Sequence, residues 1–233
     1  MQNKRKEVNN VYVVAGYPSW CKEVFKKRIS KYPERWHLFS KKEQLNQKNL
    51  KKINPKYVFF LHWSWKVPKE IINNYECVCF HMTDVPYGRG GSPLQNLIIR
   101  GHKTTKLTVL KMTEDFDAGP VYFKKPLSLK GRAEEIYVRA SNLAANMIFK
   151  IIKNQIIPKP QRGKPVIFKR KKPEESEIPK SKNLQEIYDF IRMLDAEGYP
   201  KAFLKYKGFI FEFSHPVLSN EKILANAKIK KNN

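Results

Sequence analysis

Two stretches of the sequence combine residue types that can move protons. The first, CFHMTDVPYGRGGSP (79–93), places His81 at the end of an apolar run and follows it with a turn rich in glycine and proline. The second, TEDFDAG (113–119), carries Asp115 and Asp117 in a short acidic turn. An imidazole titrates near neutrality, so it can accept a proton from an amine or steady a developing charge. A carboxylate within reach would fix its tautomer and favour the imidazolium. Both features have a plainer reading: histidines are often buried structural residues, and a turn aspartate readily bonds its own backbone. For His81 the setting favours chemistry, because a glycine-rich loop lets the backbone approach a ligand closely.

Cys77, Cys79 and His81 alternate along one run, which puts them on the same face of a strand. Thiolate and imidazole are good zinc ligands. Three successive same-face positions on a straight strand spread over several ångströms, however, and Cys21 is far away in sequence, so no metal site is expected. The cysteines read as small apolar residues. GRGG (88–91) lacks the G-x-G-x-x-G spacing and no Walker lysine follows, which excludes both nucleotide-binding motifs. The pair Trp63 and Trp65, in HWSW (62–65), is either core or a sandwich for a flat heterocycle.

These residues need strands and turns to position them. Apolar runs at 11–15, 36–40, 56–63 and 75–82 alternate with helical patterns at 19–29, 41–53 and 68–74. In the first helix Trp20, Val24 and Ile29 share a face. Such alternation predicts an α/β fold: a mostly parallel twisted sheet with flanking helices. Ligands of such sheets bind at the carboxyl ends of the strands, where both His81 and His62-Trp63-Ser64-Trp65 lie. Beyond the loop, Ser92, Pro93 and Gly101 read as cap, first position and stop of a helix. A strand at 106–112, an extended segment at 120–129 and a helix at 133–152, striped by Ile136, Leu143 and Met147, complete a domain spanning 1–157. Residues 158–182 are rich in proline and charge and read as a wrapping linker. The segment 183–233 reads as a helix, a β-hairpin around Lys207-Gly208 and a frayed polar tail.

Composition limits the function classes. With 233 residues, 41% of them apolar, the chain can bury a real core. No run approaches the roughly 20 apolar residues of a membrane span, and MQNKRKEVNN has no apolar leader, so a reducing cytoplasm is expected. Forty-six basic residues against 21 acidic ones give a net charge of +25. That attracts phosphate, or it reflects lysine used wherever a solvated residue will do. Only KRKK (169–172) and KIKK (228–231) form clusters.

On CFHMTDVPYGRG, the helix and strand after it, and TEDFDAG, the chain resembles the folate-dependent formyltransferases. The 36 residues separating His81 from Asp117 suit that family. The resemblance implies a Rossmann-like formyltransferase fold and passage of a formyl group from 10-formyltetrahydrofolate to a primary amine. His81 would take up the proton or stabilise the tetrahedral intermediate, and Asp117 would orient it. Cys79 stands where the family carries asparagine. A thiol is a weak donor, and losing an oxyanion donor costs on the order of a hundredfold in rate. A backbone N–H or His62 would then stand in, and a covalent thioformyl on Cys79 is conceivable. By the same resemblance Trp63, Ser64, Trp65, Asp115 and Phe116 would hold folate, and Arg89, Gly91, Ser92 and Gln95 the acceptor. ECVCFHMTDVPYGRGGSPLQNLI and RMLDAEGYPKAF are most similar to formyltransferases of the pseudaminic-acid type. Their acceptor is a UDP-linked 4-amino-4,6-dideoxy sugar. Fewer than thirty residues follow the segment that resembles the entry to the tRNA enzymes' C-terminal barrel, which leaves room for a hairpin only. A tRNA-formylating protein, a basic nucleic-acid-binding module without catalysis, and a homodimer stay open.

Overall fold

Short apolar runs bounded by turn residues become the strands of one sheet in the computed structural model, which describes residues 10–181 and 183–232. The stretch 1–9, most of the segment read as lacking an apolar leader, lies outside them. Strands β1 (Val11–Ala15), β2 (Arg35–Phe39), β3 (Tyr57–Phe60) and β4 (Cys77–His81) pair in parallel: β1 with β2 and β3, and β3 with β4. With β6 (Thr104–Lys111) and β7 (Val121–Ser128) the order is β2-β1-β3-β4-β6-β7. The expected mostly parallel sheet is therefore present. No helix among the described residues is long and apolar enough to cross a membrane.

The chain divides into two compact units. The first comprises the residues up to Phe80 together with Val109–Tyr122 and Ser141–Pro160. Its core joins Val13 and Ala15 of β1, Val58 and Phe60 of β3 and Cys77 of β4 to Leu50 and Ile71, all at most 5% exposed. Leu50 belongs to α2 (Gln47–Ile53), which starts where the Asn46 side chain accepts from the Asn49 N–H and stops at left-handed Asn54. Ile71 belongs to α3 (Lys69–Asn74). Burying a side chain of this size stabilises by roughly 1.5–3 kcal/mol, and truncating one to alanine costs about 2–5 kcal/mol. Helix α1 (Ser19–Lys27) turns Trp20 and Val24 inward, as their spacing predicts, together with Cys21; Ile29, expected on the same helix face, lies past the helix end and is buried from the turn after it. The second half of α5 (Ala133–Asn154) is tied to this unit where Arg28 donates to Asn142 Oδ1 at 3.1 Å and Asn146 Oδ1 at 2.6 Å.

The second unit comprises His81–Thr108, Phe123–Ala140 and the chain from Gln161 onward. Within it β5 (Tyr87–Gly90) pairs in parallel with β8 (Val166–Phe168). The stretch read from sequence as a linker therefore contains a strand. Helix α4 (Pro93–Ile99) starts at Ser92, but Ser92 is not the expected side-chain cap. It is left-handed (φ 49°), and its Oγ instead accepts the Lys171 N–H at 2.9 Å. Helix α6 (Leu184–Leu194) is capped by Asn183, and its Arg192, 4% exposed, pairs with Asp189 and donates to the Leu129 and Gly131 carbonyls.

Three antiparallel strands follow, β9 (Ala202–Tyr206), β10 (Phe209–Leu218) and β11 (Ile223–Lys231), in the order β11-β10-β9. The tail expected to fray is thus strand β11, paired with β10 from Phe209↔Lys231 to Leu218↔Ile223. The pairing satisfies backbone groups that a polar tail would leave to water.

Candidate active site

In the first unit the acidic turn is fixed by its backbone. Met112 N–H donates to the Cys77 carbonyl and Lys111 N–H to the Pro120 carbonyl, at 2.8 and 2.9 Å. Gly119 passes so close to the Lys111 carbonyl that an added Cβ would lie 1.8 Å from its oxygen, so only glycine fits. Asp117 is held left-handed (φ 53°), a conformation aspartate tolerates and which marks a constrained site. Glu114 is ion-paired to Lys69 of α3 and accepts from Asn73, which anchors the turn's outer side. Phe116, on the same turn, is 72% exposed.

Cys79 retains some solvent access, yet its sulfur is packed densely enough that burial drives its pKa well above the usual thiol value. The charges of Asp117 and Cys77 push the same way, so the direction stands on two causes. Asp117 of the acidic turn therefore acts electrostatically on Cys79 of β4. A thiol held protonated is a poor nucleophile and a weak donor.

The loop after β3 gathers aromatic rings. Trp63 and Trp65 meet edge to face at 4.7 Å, and Tyr17 lies 4.5 Å from Trp65. Tyr17 Oη and Ser64 Oγ are hydrogen-bonded at 2.9 Å. Trp63 packs on the same core cluster as Cys79, and its indole Nε1 is buried with no hydrogen-bond partner among the described residues. Such an orphaned donor is costly unless something accepts from it. His62, left-handed at φ 49°, presents its ring edge-on to Trp20 at 5.3 Å, and burial pushes its pKa down to about 4.

In the second unit His81 is 8% exposed, and its Nε2 lies 2.7 Å from the Gly88 carbonyl. A carbonyl only accepts, so Nε2 carries the hydrogen. Thr83 Oγ1 also donates to the Gly88 carbonyl, at 3.2 Å, and Thr108 Oγ1 donates to the Thr83 carbonyl at 2.6 Å. Gly88 (φ 78°) admits no side chain: a Cβ would sit 2.7 Å from Thr83 Cγ2 and 2.8 Å from the Phe168 ring. Asp84 accepts from Lys124 and Lys106 at 2.5 and 2.9 Å. Burial alone would raise its carboxyl pKa, but the two lysines outweigh burial and hold it below the usual range. The Val85–Pro86 peptide in this loop is cis.

The residues expected at the acceptor are all engaged within this unit. Arg89 donates through Nε and Nη2 to Gln161 Oε1, and the Gly91 N–H donates to the Phe168 carbonyl. Gln95, expected to touch substrate, is 2% exposed, and its amide nitrogen donates to Tyr137 Oη and the Met193 carbonyl. That makes it a tie in the packing. Sequence reasoning missed Tyr17, Thr83, Gly88 and the segment around β8. Gly88 was visible only as part of GRGG, and Tyr17 stood alone after a glycine.

A mostly parallel sheet with flanking helices defines a Rossmann-like α/β protein. The chain belongs to the formyl transferase family, whose sequence profile matches residues 2–152. A profile described as the methionyl-tRNA formyltransferase C-terminal domain matches residues 173–230. Among solved structures, one titled methionyl-tRNA formyltransferase from Clostridium thermocellum is similar at 45% identity and TM-score 0.90, covering 96% of this chain and 100% of that one. The methionyl-tRNA formyltransferase of Thermodesulfovibrio yellowstonii is 28% identical over 153 residues, 62% of this chain and 50% of the relative. A 4-N formyltransferase from Francisella tularensis shares the fold at TM-score 0.63 and 17% identity, covering 85% of this chain and 93% of its own. The chain spans about half the length of the curated relatives it matches.

Proposed function

We propose that the protein passes a formyl group from 10-formyltetrahydrofolate to the 4-amino group of a nucleotide-linked amino sugar, of the UDP-4-amino-4,6-dideoxy-N-acetyl-altrosamine type, in the cytoplasm. The observation that carries the reading is the imidazole of His81, buried yet hydrogen-bonded through Nε2 to the Gly88 carbonyl. That bond orients the ring, which is assigned the proton shed by the attacking amine. Asp117 is the carboxylate assigned to steady the resulting imidazolium.

The residues present fit the folate. The Tyr17–Trp63–Trp65 cluster offers aromatic faces, and the unpartnered Trp63 Nε1 offers a donor to a heterocycle carbonyl. Ser64, Asp115 and Phe116 would complete that wall. When bound, the folate supplies an electrophilic formyl carbon. Cys79, held as a neutral thiol, is neither the nucleophile nor a strong stabilising donor. The sugar acceptor is supported by the likeness of CFHMTDVPYGRGGSPLQNLI and RMLDAEGYPKAF to the pseudaminic-acid type, and by a +25 chain that suits a diphosphate.

A second reading, with an aminoacyl-tRNA as acceptor, is favoured by the 45% likeness to the Clostridium thermocellum structure and by the C-terminal profile match. Incubation with 10-formyltetrahydrofolate and each acceptor, scored by mass, tests both. A gain of one formyl on the UDP-amino sugar is expected. A gain on charged tRNA alone transfers the assignment to the second reading, and no gain on either rejects both.

A further inference from the structure

Glycine visits left-handed and right-handed backbone alike, so a carbonyl that follows one has no direction fixed by its own residue. Gly88 is such a residue, at φ 78°, and its carbonyl is the partner of His81 Nε2 at 2.7 Å. The acceptor that orients the imidazole therefore needs a restraint from elsewhere. Thr83, fully buried and without a part in the chemistry above, supplies it. Its Oγ1 donates to the same Gly88 carbonyl at 3.2 Å. Its carbon atoms fill the space that a side chain at residue 88 would need, since a Cβ there would lie 2.7 Å from Thr83 Cγ2 and 3.0 Å from Thr83 Cβ. One side chain thus demands glycine at 88 and also grips the carbonyl that glycine leaves unrestrained.

Thr83 is itself anchored to β6. Thr108 Oγ1 donates to the Thr83 carbonyl at 2.6 Å, and Thr105 Oγ1 donates to the Met82 carbonyl at 3.3 Å. The turn that returns the chain to Gly88 is closed by the Tyr87 N–H on the Asp84 carbonyl at 3.2 Å. A chain of restraint runs from the β6 strand through Thr83 and the Gly88 carbonyl to the imidazole. A carbonyl oxygen has two lone pairs, and here a ring N–H and a hydroxyl engage it together. Without the hydroxyl, the Gly88 peptide can turn and the ring loses its fixed acceptor. Displacing a reacting group by about 1 Å can cost on the order of a hundredfold in rate.

We infer that Thr83 is a positioning residue for the transfer reaction: its hydroxyl fixes the Gly88 carbonyl, which fixes the orientation and tautomer of the His81 imidazole. This deepens the reading under Proposed function and rests on it for the part His81 plays in turnover. The hydroxyl carries the role, not the outline of the side chain. Valine has nearly the same outline and no donor, whereas serine keeps the donor and loses only the methyl.

The test uses the full chain and the variants Thr83→Val, Thr83→Ser, His81→Ala and His81→Ala/Thr83→Val, each checked for folding by circular dichroism. The first readout needs no turnover: nitrogen NMR of the histidine rings at alkaline pH, where imidazoles are neutral, with the His81 signals identified by their loss in His81→Ala. Wild type and Thr83→Ser should show His81 as one tautomer with the hydrogen on Nε2, and Thr83→Val should show a mixture. The second readout is kinetics with 10-formyltetrahydrofolate and whichever acceptor wild type formylates. Thr83→Val should lower kcat by about tenfold or more and leave the folate KM within about twofold, and Thr83→Ser should recover kcat to within about threefold. In the His81→Ala background, Thr83→Val should change kcat by less than about twofold, because the two residues act as one unit. The inference is overturned if Thr83→Val keeps the wild-type kcat, if its His81 stays a single tautomer, or if Thr83→Ser loses as much as Thr83→Val. Should Thr83→Val not fold, Thr83→Ala is held to the same outcomes. If the tautomers respond as expected but wild type formylates no acceptor, the restraint on His81 stands and the proposed reaction fails.

Discussion

His62 lies two residues beyond β3 and His81 closes β4, so the two imidazoles occupy equivalent places along neighbouring parallel strands. Their surroundings differ in kind. His62 sits edge-on to Trp20, and burial pushes its pKa down to about 4, which keeps it neutral across the physiological range. His81 donates from Nε2 to a carbonyl that Thr83 also binds. Burial by itself disfavours the charged form. A buried ring can carry a proton only where fixed polar partners replace the lost water. Position at a strand end nominates a histidine, and the polarity of the following loop decides what it can do. MTDVPYG supplies carbonyls and a hydroxyl, whereas WSWKVP supplies indoles.

His81→Ala should lower formyl transfer by about a thousandfold, and Asp117→Asn by about a hundredfold or more, with unchanged circular dichroism. Full activity in His81→Ala would remove the distinction between the two rings. Gly119→Ala should cost about 3 kcal/mol or more, read as a lower urea midpoint, because the contact to be relieved is with the Lys111 backbone.

His62 gives a smaller, pH-dependent effect. Between pH 6.5 and about 4 the unfolded chain takes up a proton at this residue that the folded chain refuses. Stability should therefore fall as pH falls through that window, by on the order of 2 kcal/mol after allowance for partial exposure. His62→Asn, which keeps the left-handed backbone, should flatten that slope, and an unchanged slope would locate the acid sensitivity elsewhere. Smallest of all, Cys79→Ala should keep turnover within about threefold, since a protonated thiol contributes little. A hundredfold loss there would require a role for sulfur.

Much of the first unit was legible in the chain. VYVVA becomes β1 without a residue of error, and Trp20 and Val24 turn inward on α1 as their spacing predicts, whereas Ile29, expected on the same face, lies beyond the helix end and is buried from the 3-10 turn that follows. His81 was legible as a strand-end histidine because CVCFH is apolar up to it. What could not be read was structure that exists only through pairing. YGRG has no apolar alternation, and it is a strand because Val166–Phe168 lies beside it. ILANAKIKK alternates too weakly to announce β11, whose order comes from the partner strand. Ser92 looked like a cap because caps are local, but a backbone N–H 79 residues onward took its hydroxyl. Gln95 looked polar and therefore available, and Tyr137 with Met193 claimed it.

Strand β11 forms the outer rim of its three-stranded sheet and carries Lys228, Lys230 and Lys231. Cationic side chains on a rim discourage stray strands from annealing to it. A shortened clone ending near Asn220 would bare the amides of β10 beside Leu204, Tyr206 and Phe209, whose side chains are 42%, 61% and 43% solvent-exposed. Such a clone should deposit in inclusion bodies, and workers trimming this gene for crystallisation would do better to stop beyond Lys231.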